Sequence, residues 1–167
     1  MNKEIIYAFI DGQNLYESLN RKGIEISYEK YRKYLRNRYG VNKAILFLGS
    51  IHKDIYRKAK RAGFLIKKKL AVPQIDEKGR IVMKANVDID LAVEAIGNSW
   101  GKYDKAVIVS GDGDFLPLIE YLKKKDKLKI VIIPNREHSS RCYEREDMVD
   151  CRVYMNDPEE KVELLLQ

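Results

Sequence analysis

The chain is poor in residues that carry nucleophilic and soft-metal chemistry. It has two cysteines, Cys142 and Cys151, and two histidines, His52 and His138. Two cysteines cannot build a disulfide framework, and their spacing does not fit a zinc site, so they read as reduced thiols. With so few histidines and no Ser-His-Asp arrangement, general-base imidazole chemistry is disfavoured. No apolar run approaches the roughly 20 residues that a membrane span needs. The opening MNKEIIYAFID lacks the layout of a secretory signal, because its short apolar run leads straight into a polar motif. A cytoplasmic protein is expected. A phosphate-cradling P-loop is also missing, which excludes that mode of nucleotide chemistry.

What is present suits a globular domain. The 167 residues are 45 % apolar, enough for one buried core and too many for a disordered chain. Residues 1–156 are read as one domain and 157–167 as a tail with a helical pattern. The net charge is +7 and the pI about 9.2, a balance that favours polyanionic partners. Much of the positive charge falls in three stretches, 32–38, 53–69 and 123–129.

Short apolar runs predict strands at 4–10, 43–49, 64–70, 105–110 and 128–133. The third carries lysines, which places it near a sheet edge. Helices are predicted at 14–21, 28–38, 53–61, 88–98 and 115–125. Ser27 would cap the second and Gly63 would close the third. Residues 77–80 read as the turn of a small hairpin. Beyond Pro134 the pattern weakens, with a short helix near 139–148 and a strand at 152–155. Strands alternating with helices predict an α/β three-layer sandwich on a mostly parallel five-stranded sheet. Ligands in such sheets bind outside the carboxyl ends of the strands.

Two of those ends carry aspartates: Asp11 in IDGQN, and Asp112 and Asp114 in VSGDGDF. A third acidic group, Asp88 and Asp90, opens a helix. Two helical positions are about 200° apart, so Asp88 and Asp90 cannot share a face. Asp88 lies over the inward residues Leu91, Ala92 and Ala95. Asp90 lies over Glu94, toward solvent, and is the secondary candidate. Each aspartate also has a structural reading, as a turn or cap residue. Gathered together, carboxylates repel unless cations neutralise them. Hard oxygen donors with little histidine suit Mg²⁺ or Mn²⁺. A basic surface around a small acidic pocket suits a phosphodiester.

The segments FIDGQNL, KANVDIDLAVEA and IVSGDGDFLPLI, in this order and spacing, resemble the NYN domain family of PIN-like nucleases, and its LabA-like branch in particular. The resemblance covers about residues 5–133. It implies a sheet of order 3-2-1-4-5 and a Mg²⁺- or Mn²⁺-dependent ribonuclease. It implies further that Asp11, Asp88, Asp112 and Asp114 form the catalytic and metal-binding cluster. Asn14 would orient Asp11 or a water, Ser110 would support the strand end, and Lys84 would contact phosphate. The pair Ala85-Asn86 departs from the family, which often has a glycine there.

On this reading RNA is the partner, with Lys53, Arg57, Arg61 and Lys84 along its backbone. Arg136, His138 and Arg141 form a second contact strip, and one of the many tyrosines stacks on an unpaired base. A homodimer through the tail is open. The alternative is a catalytically weak RNA- or protein-binding module. Other phosphate enzymes fit less well. The aspartate pair resembles that of Toprim domains, but Asp11 stands where they have a glutamate. A haloacid-dehalogenase-type phosphatase needs a second aspartate where Gln13 stands.

Overall fold

A computed structural model of the chain describes residues 3–49, 53–84, 86–157 and 160. Six parallel strands form the main sheet. They are β1 (Ile6–Asp11), β2 (Lys43–Gly49), β3 (Leu65–Lys69), β6 (Lys105–Val109), β7 (Leu128–Ile133) and β8 (Arg152–Tyr154), in the order β3-β2-β1-β6-β7-β8. A two-stranded antiparallel hairpin, β4 (Val72–Ile75) with β5 (Ile81–Lys84), stands apart from it. The expected order 3-2-1-4-5 is present as the first five strands. The count of five is corrected to six. The chain returns through Arg152–Tyr154, whose register with β7 (Val131↔Arg152 to Ile133↔Tyr154) covers an edge that would otherwise be unpaired. The lysine-bearing β3 does lie at the other edge.

Strand parity sorts the core into two layers. Ile6, Ala8 and Ile10 of β1 join Val107 and Val109 of β6 on one face, under α1 (Gly12–Asn20), α2 (Tyr28–Tyr39) and α3 (Lys53–Arg61). Tyr7 and Phe9 join Ala106 and Ile108 on the other. There they pack against Leu91 of α4 (Asp88–Val93), Ala95 of the π-helical turn that continues it (Glu94–Asn98), and Ile119 of α5 (Leu116–Lys124). By the same parity, Asp11 and Ser110 project to the α4 side. The pairing Ile10↔Val109 puts their strand ends next to each other.

Three further differences from the sequence reading have local causes. The first helix starts at Gly12 rather than Asn14, because Asp11 caps it. The segment 139–148 forms 3₁₀ turns, Arg141–Glu144 and part of Glu146–Cys151, instead of a helix. Ser140 begins the first of them by accepting from the Cys142 N–H. Glu94 is buried rather than solvated. Its carboxylate accepts from Ser99 Oγ at 2.7 Å and Asn98 Nδ2 at 3.2 Å, and Lys67 lies 3.4 Å away. The tail at 157–167 lies outside the described residues apart from Asp157 and Glu160. Glu160 accepts from the hydroxyls of Tyr34 and Tyr39, at 2.8 and 3.0 Å. Among the described residues no helix is long and apolar enough to cross a membrane.

Candidate functional site

At the carboxyl end of β1, Asp11 is 4 % exposed. One of its oxygens accepts from the Asn14 N–H at 3.0 Å, the bond that caps α1. The other accepts from Ser110 Oγ at 3.1 Å. Ser110 Oγ in turn accepts from the Asp112 N–H at 3.1 Å. The Asn14 side-chain oxygen reaches across to accept from the Gly111 N–H at 2.8 Å. One serine and one asparagine thus lock the ends of β1 and β6 together. Asp112 caps the short turn Gly113–Phe115 by accepting from the Asp114 N–H.

Asp88 opens α4 on the facing side, with its N–H donating to Asn86 Oδ1 at 2.9 Å. Asp88, Asp112 and Asp114 each bring a carboxylate oxygen within 4.8 Å of the other two. Asp11 is set behind this trio. With Gln13, Asn14, Glu17, Asn86, Asp88 and Asp112 it lines a cavity of about 300 Å³. The sequence reading grouped all four aspartates. The structure gathers three tightly and puts the fourth beneath them.

The electrostatics follow from this crowding. Burial, joined by the charges of Asp88 and Asp112, pushes the Asp11 carboxyl up to about 6, against the Asn14 and Ser110 hydrogen bonds. Burial, followed by the charges of Asp112 and Asp114, raises Asp88, with Asn86 and Lys69 acting against the rise. Both groups are less acidic than free carboxyls because burial and the repulsion of neighbouring carboxylates disfavour their charged forms. A divalent cation would offset that repulsion. The donor set is all carboxylate oxygen, which fits Mg²⁺ or Mn²⁺.

The remaining expected residues divide by position. Asp90 turns away from Asp88, as the helical angle requires, and pairs with Lys69 at 2.6 Å. Lys53, Arg57 and Arg61 lie along α3, in the layer opposite α4. Lys53 starts that helix on the carboxyl side of the sheet. Arg57 pairs with Asp54 at 2.6 Å, and Arg61 lies at the far end of the helix, about 12 Å along it from Lys53. Arg136 is held by Asp157 at 2.9 Å and stacks on the Tyr154 ring at 3.9 Å. Arg141 is exposed and follows Ser140, whose N–H donates to the Gly111 carbonyl at 2.9 Å. Its backbone therefore adjoins the acidic loop, as does that of the nearby His138. Lys84 ends β5, and its side chain lies outside what is described; His52 lies wholly outside.

Two contributors escaped the sequence reading. Tyr143, fully buried, donates to the Asp112 carbonyl at 2.6 Å and steadies the acidic loop from the segment after Pro134. Nothing local in the sequence marks it. Asn86 was legible as a capping type two residues ahead of Asp88.

Comparison with known proteins follows the same lines. The profile of the NYN domain matches residues 6–150. The chain is 29 % identical over 125 residues, 70 % of its length and 67 % of the other's, to the low amplitude and bright protein LabA of Synechococcus elongatus. Its fold is similar to the crystal structure of a protein of unknown function from Vibrio parahaemolyticus RIMD 2210633. The TM-score is 0.72 at 21 % identity, covering 99 % of this chain and 100 % of that one.

Proposed function

The chain belongs to the NYN domain family of PIN-like nucleases, and from that premise we propose that it is a divalent-metal-dependent ribonuclease cutting RNA phosphodiester bonds at the Asp11–Asp88–Asp112–Asp114 cluster. One observation carries the reading. Carboxylates from two distant segments, Asp88 and the pair Asp112 and Asp114, converge within 4.8 Å at the sheet edge where ligands bind.

Asp88, Asp112 and Asp114 would hold Mg²⁺ or Mn²⁺. When bound, such a cation polarises a phosphoryl oxygen and makes a water more acidic. Asp11, ionised above about pH 6, adds a fourth negative charge from beneath the trio. Ser110 and the Asn14 N–H fix its two oxygens, so it does not turn out to solvent. The Asn14 side chain keeps the Gly111 turn against α1 and thereby sets the direction of Asp112. Arg141 and Lys53, on the carboxyl side of the sheet, would bind phosphates flanking the cut, with Lys84 on the hairpin a third candidate.

The test replaces Asp11 or Asp112 by the near-isosteric asparagine and assays a mixed-sequence RNA with Mg²⁺ or Mn²⁺. Removing a charge worth several kcal/mol of transition-state stabilisation should slow cleavage at least about a hundredfold. Undiminished cleavage by either variant would exclude this site.

A further inference from the structure

Asp88 and Asp114 also stand at the mouth of a groove of about 520 Å³ between α4 and α5. Beyond the two aspartates and Asn86 its walls are apolar: Ile89, Ala92 and Ile96 on one side, Pro117, Leu118 and Tyr121 on the other. Leu118 belongs to the core, but Ile89 is 71 %, Ile96 43 % and Tyr121 42 % exposed. The helix already spends one apolar stripe, Leu91 and Ala95, on the core. A second, solvent-facing stripe is not needed for folding and marks a place where something docks.

The surroundings specify what docks. A strand whose phosphate lies on the acidic cluster has its adjoining nucleotide at this mouth, because Asp88 and Asp114 belong to both. The volume is that of a small-ligand site, so one planar base fits where a protein element would need a longer surface. Tyr121 offers a ring face backed by Trp100 at 5.6 Å between centroids. The Lys125 ammonium lies over the Tyr121 ring, 5.7 Å from its centroid, so a cation stands at the platform. An aromatic face with a neighbouring cation is how single strands are held without base-edge readout.

We infer that the α4–α5 groove receives the unpaired nucleobase beside the scissile phosphate, stacked on Tyr121. The inference rests on the hydrolytic reading of the acidic cluster. A paired base is stacked within its duplex and cannot enter without being extruded.

Trp100 is the chain's single tryptophan and lies against Tyr121, so its fluorescence senses a change at that ring. The experiment titrates a mixed-sequence hexaribonucleotide into the full chain carrying Asp112→Asn, which prevents cleavage, with millimolar Mg²⁺. Anisotropy of the labelled RNA is followed in parallel. Saturable change of the tryptophan signal is expected with the single strand and not with the blunt duplex of the same sequence. Tyr121→Ala should weaken binding roughly tenfold, the scale of one lost base stack, while Tyr121→Phe keeps the ring and the affinity. Ile89→Gln, at a position too exposed to threaten folding, should also weaken binding.

Equal affinity of the Tyr121→Ala and Tyr121 proteins, equal affinity for duplex, or no binding at all would overturn the inference. So would a change in oligomeric state, with RNA affinity unchanged, on Tyr121→Ala or Ile89→Gln, which would make the groove a protein-binding face. Cleavage separates the two readings. RNA cut by the unsubstituted chain but bound without help from Tyr121 keeps the hydrolytic site and removes the groove. Tyr121-dependent binding with no cleavage keeps the groove as a single-strand site and removes hydrolysis.

Discussion

A carboxyl group as buried as Asp11, with Asp88 and Asp112 for neighbours, holds its proton to about pH 6 against 3.8 in a free side chain. Its folded-state pKa is raised, so the metal-free fold binds more protons than the unfolded chain between those two values. The stability linked to this group is therefore complete below about pH 3.8 and lost as pH rises through about 6. The loss is on the order of 2–3 kcal/mol, and Asp88, raised in the same direction, adds to it. Asp11→Asn cannot ionise and its amide oxygen can still accept from the Asn14 N–H. With EDTA, thermal melts at pH 7.5 should show the variant more stable than the natural chain, and the gain should shrink toward pH 4. With millimolar Mn²⁺ the order should invert, because the natural chain gains the linkage energy of cation binding and the variant loses most of it. A variant that melts lower than the natural chain in EDTA at pH 7.5 would show that Asp11 is held for folding rather than for charge.

The elements that carry these residues are positioned by close packing. Gly12 begins α1 directly after Asp11, and a Cβ there would come 2.6 Å from the Phe47 carbonyl oxygen and 2.5 Å from Leu48 Cδ2. Only a residue without a side chain lets the helix start that close to β2. Gly12→Ala should thus cost about 1–3 kcal/mol by overpacking, read as a lower denaturation midpoint with unchanged slope. The same shift should weaken Mn²⁺ binding, since Asp11 and Asn14 flank the displaced turn. The strand order around β1 came with the family resemblance, but the strand ending in Asp-Gly at this junction was legible in the residues themselves, and so were the edge position of β3 and the opposite directions of Asp88 and Asp90. Each depends on a period or a turn signal inside one segment. What was not legible depends on contacts between segments. A strand at 152–155 was legible, but its pairing with β7 as a sixth strand of the sheet was not. Tyr143 reaches Asp112 from 31 positions away. Glu94 looked like a solvated residue because the π turn that brings Ser99 and Asn98 under it has no sequence signature.

At the scale of the whole molecule, a net charge of +7 goes with one cluster of four aspartates, and composition alone would credit every arginine with holding RNA. The fold assigns them different work. Arg141 is exposed beside the acidic loop, whereas Arg136 is engaged by Asp157 and Tyr154 and Arg61 lies at the far end of α3. Counterion release makes the difference measurable, because each phosphate contact on a single strand contributes about 0.7 to the slope of log affinity against log salt. In the Asp112→Asn background, Arg141→Ala should weaken binding of a mixed-sequence RNA and flatten that slope by about 0.7, with thermal stability unchanged. Arg136→Ala should leave the slope alone and lower Tm by about 2–4 °C, the size of a lost ion pair and ring contact in a chain of this length. Arg61→Ala should change neither. Equal flattening by all three would mean that RNA lies over the protein as a diffuse counterion, with no path fixed by the carboxyl edge of the sheet.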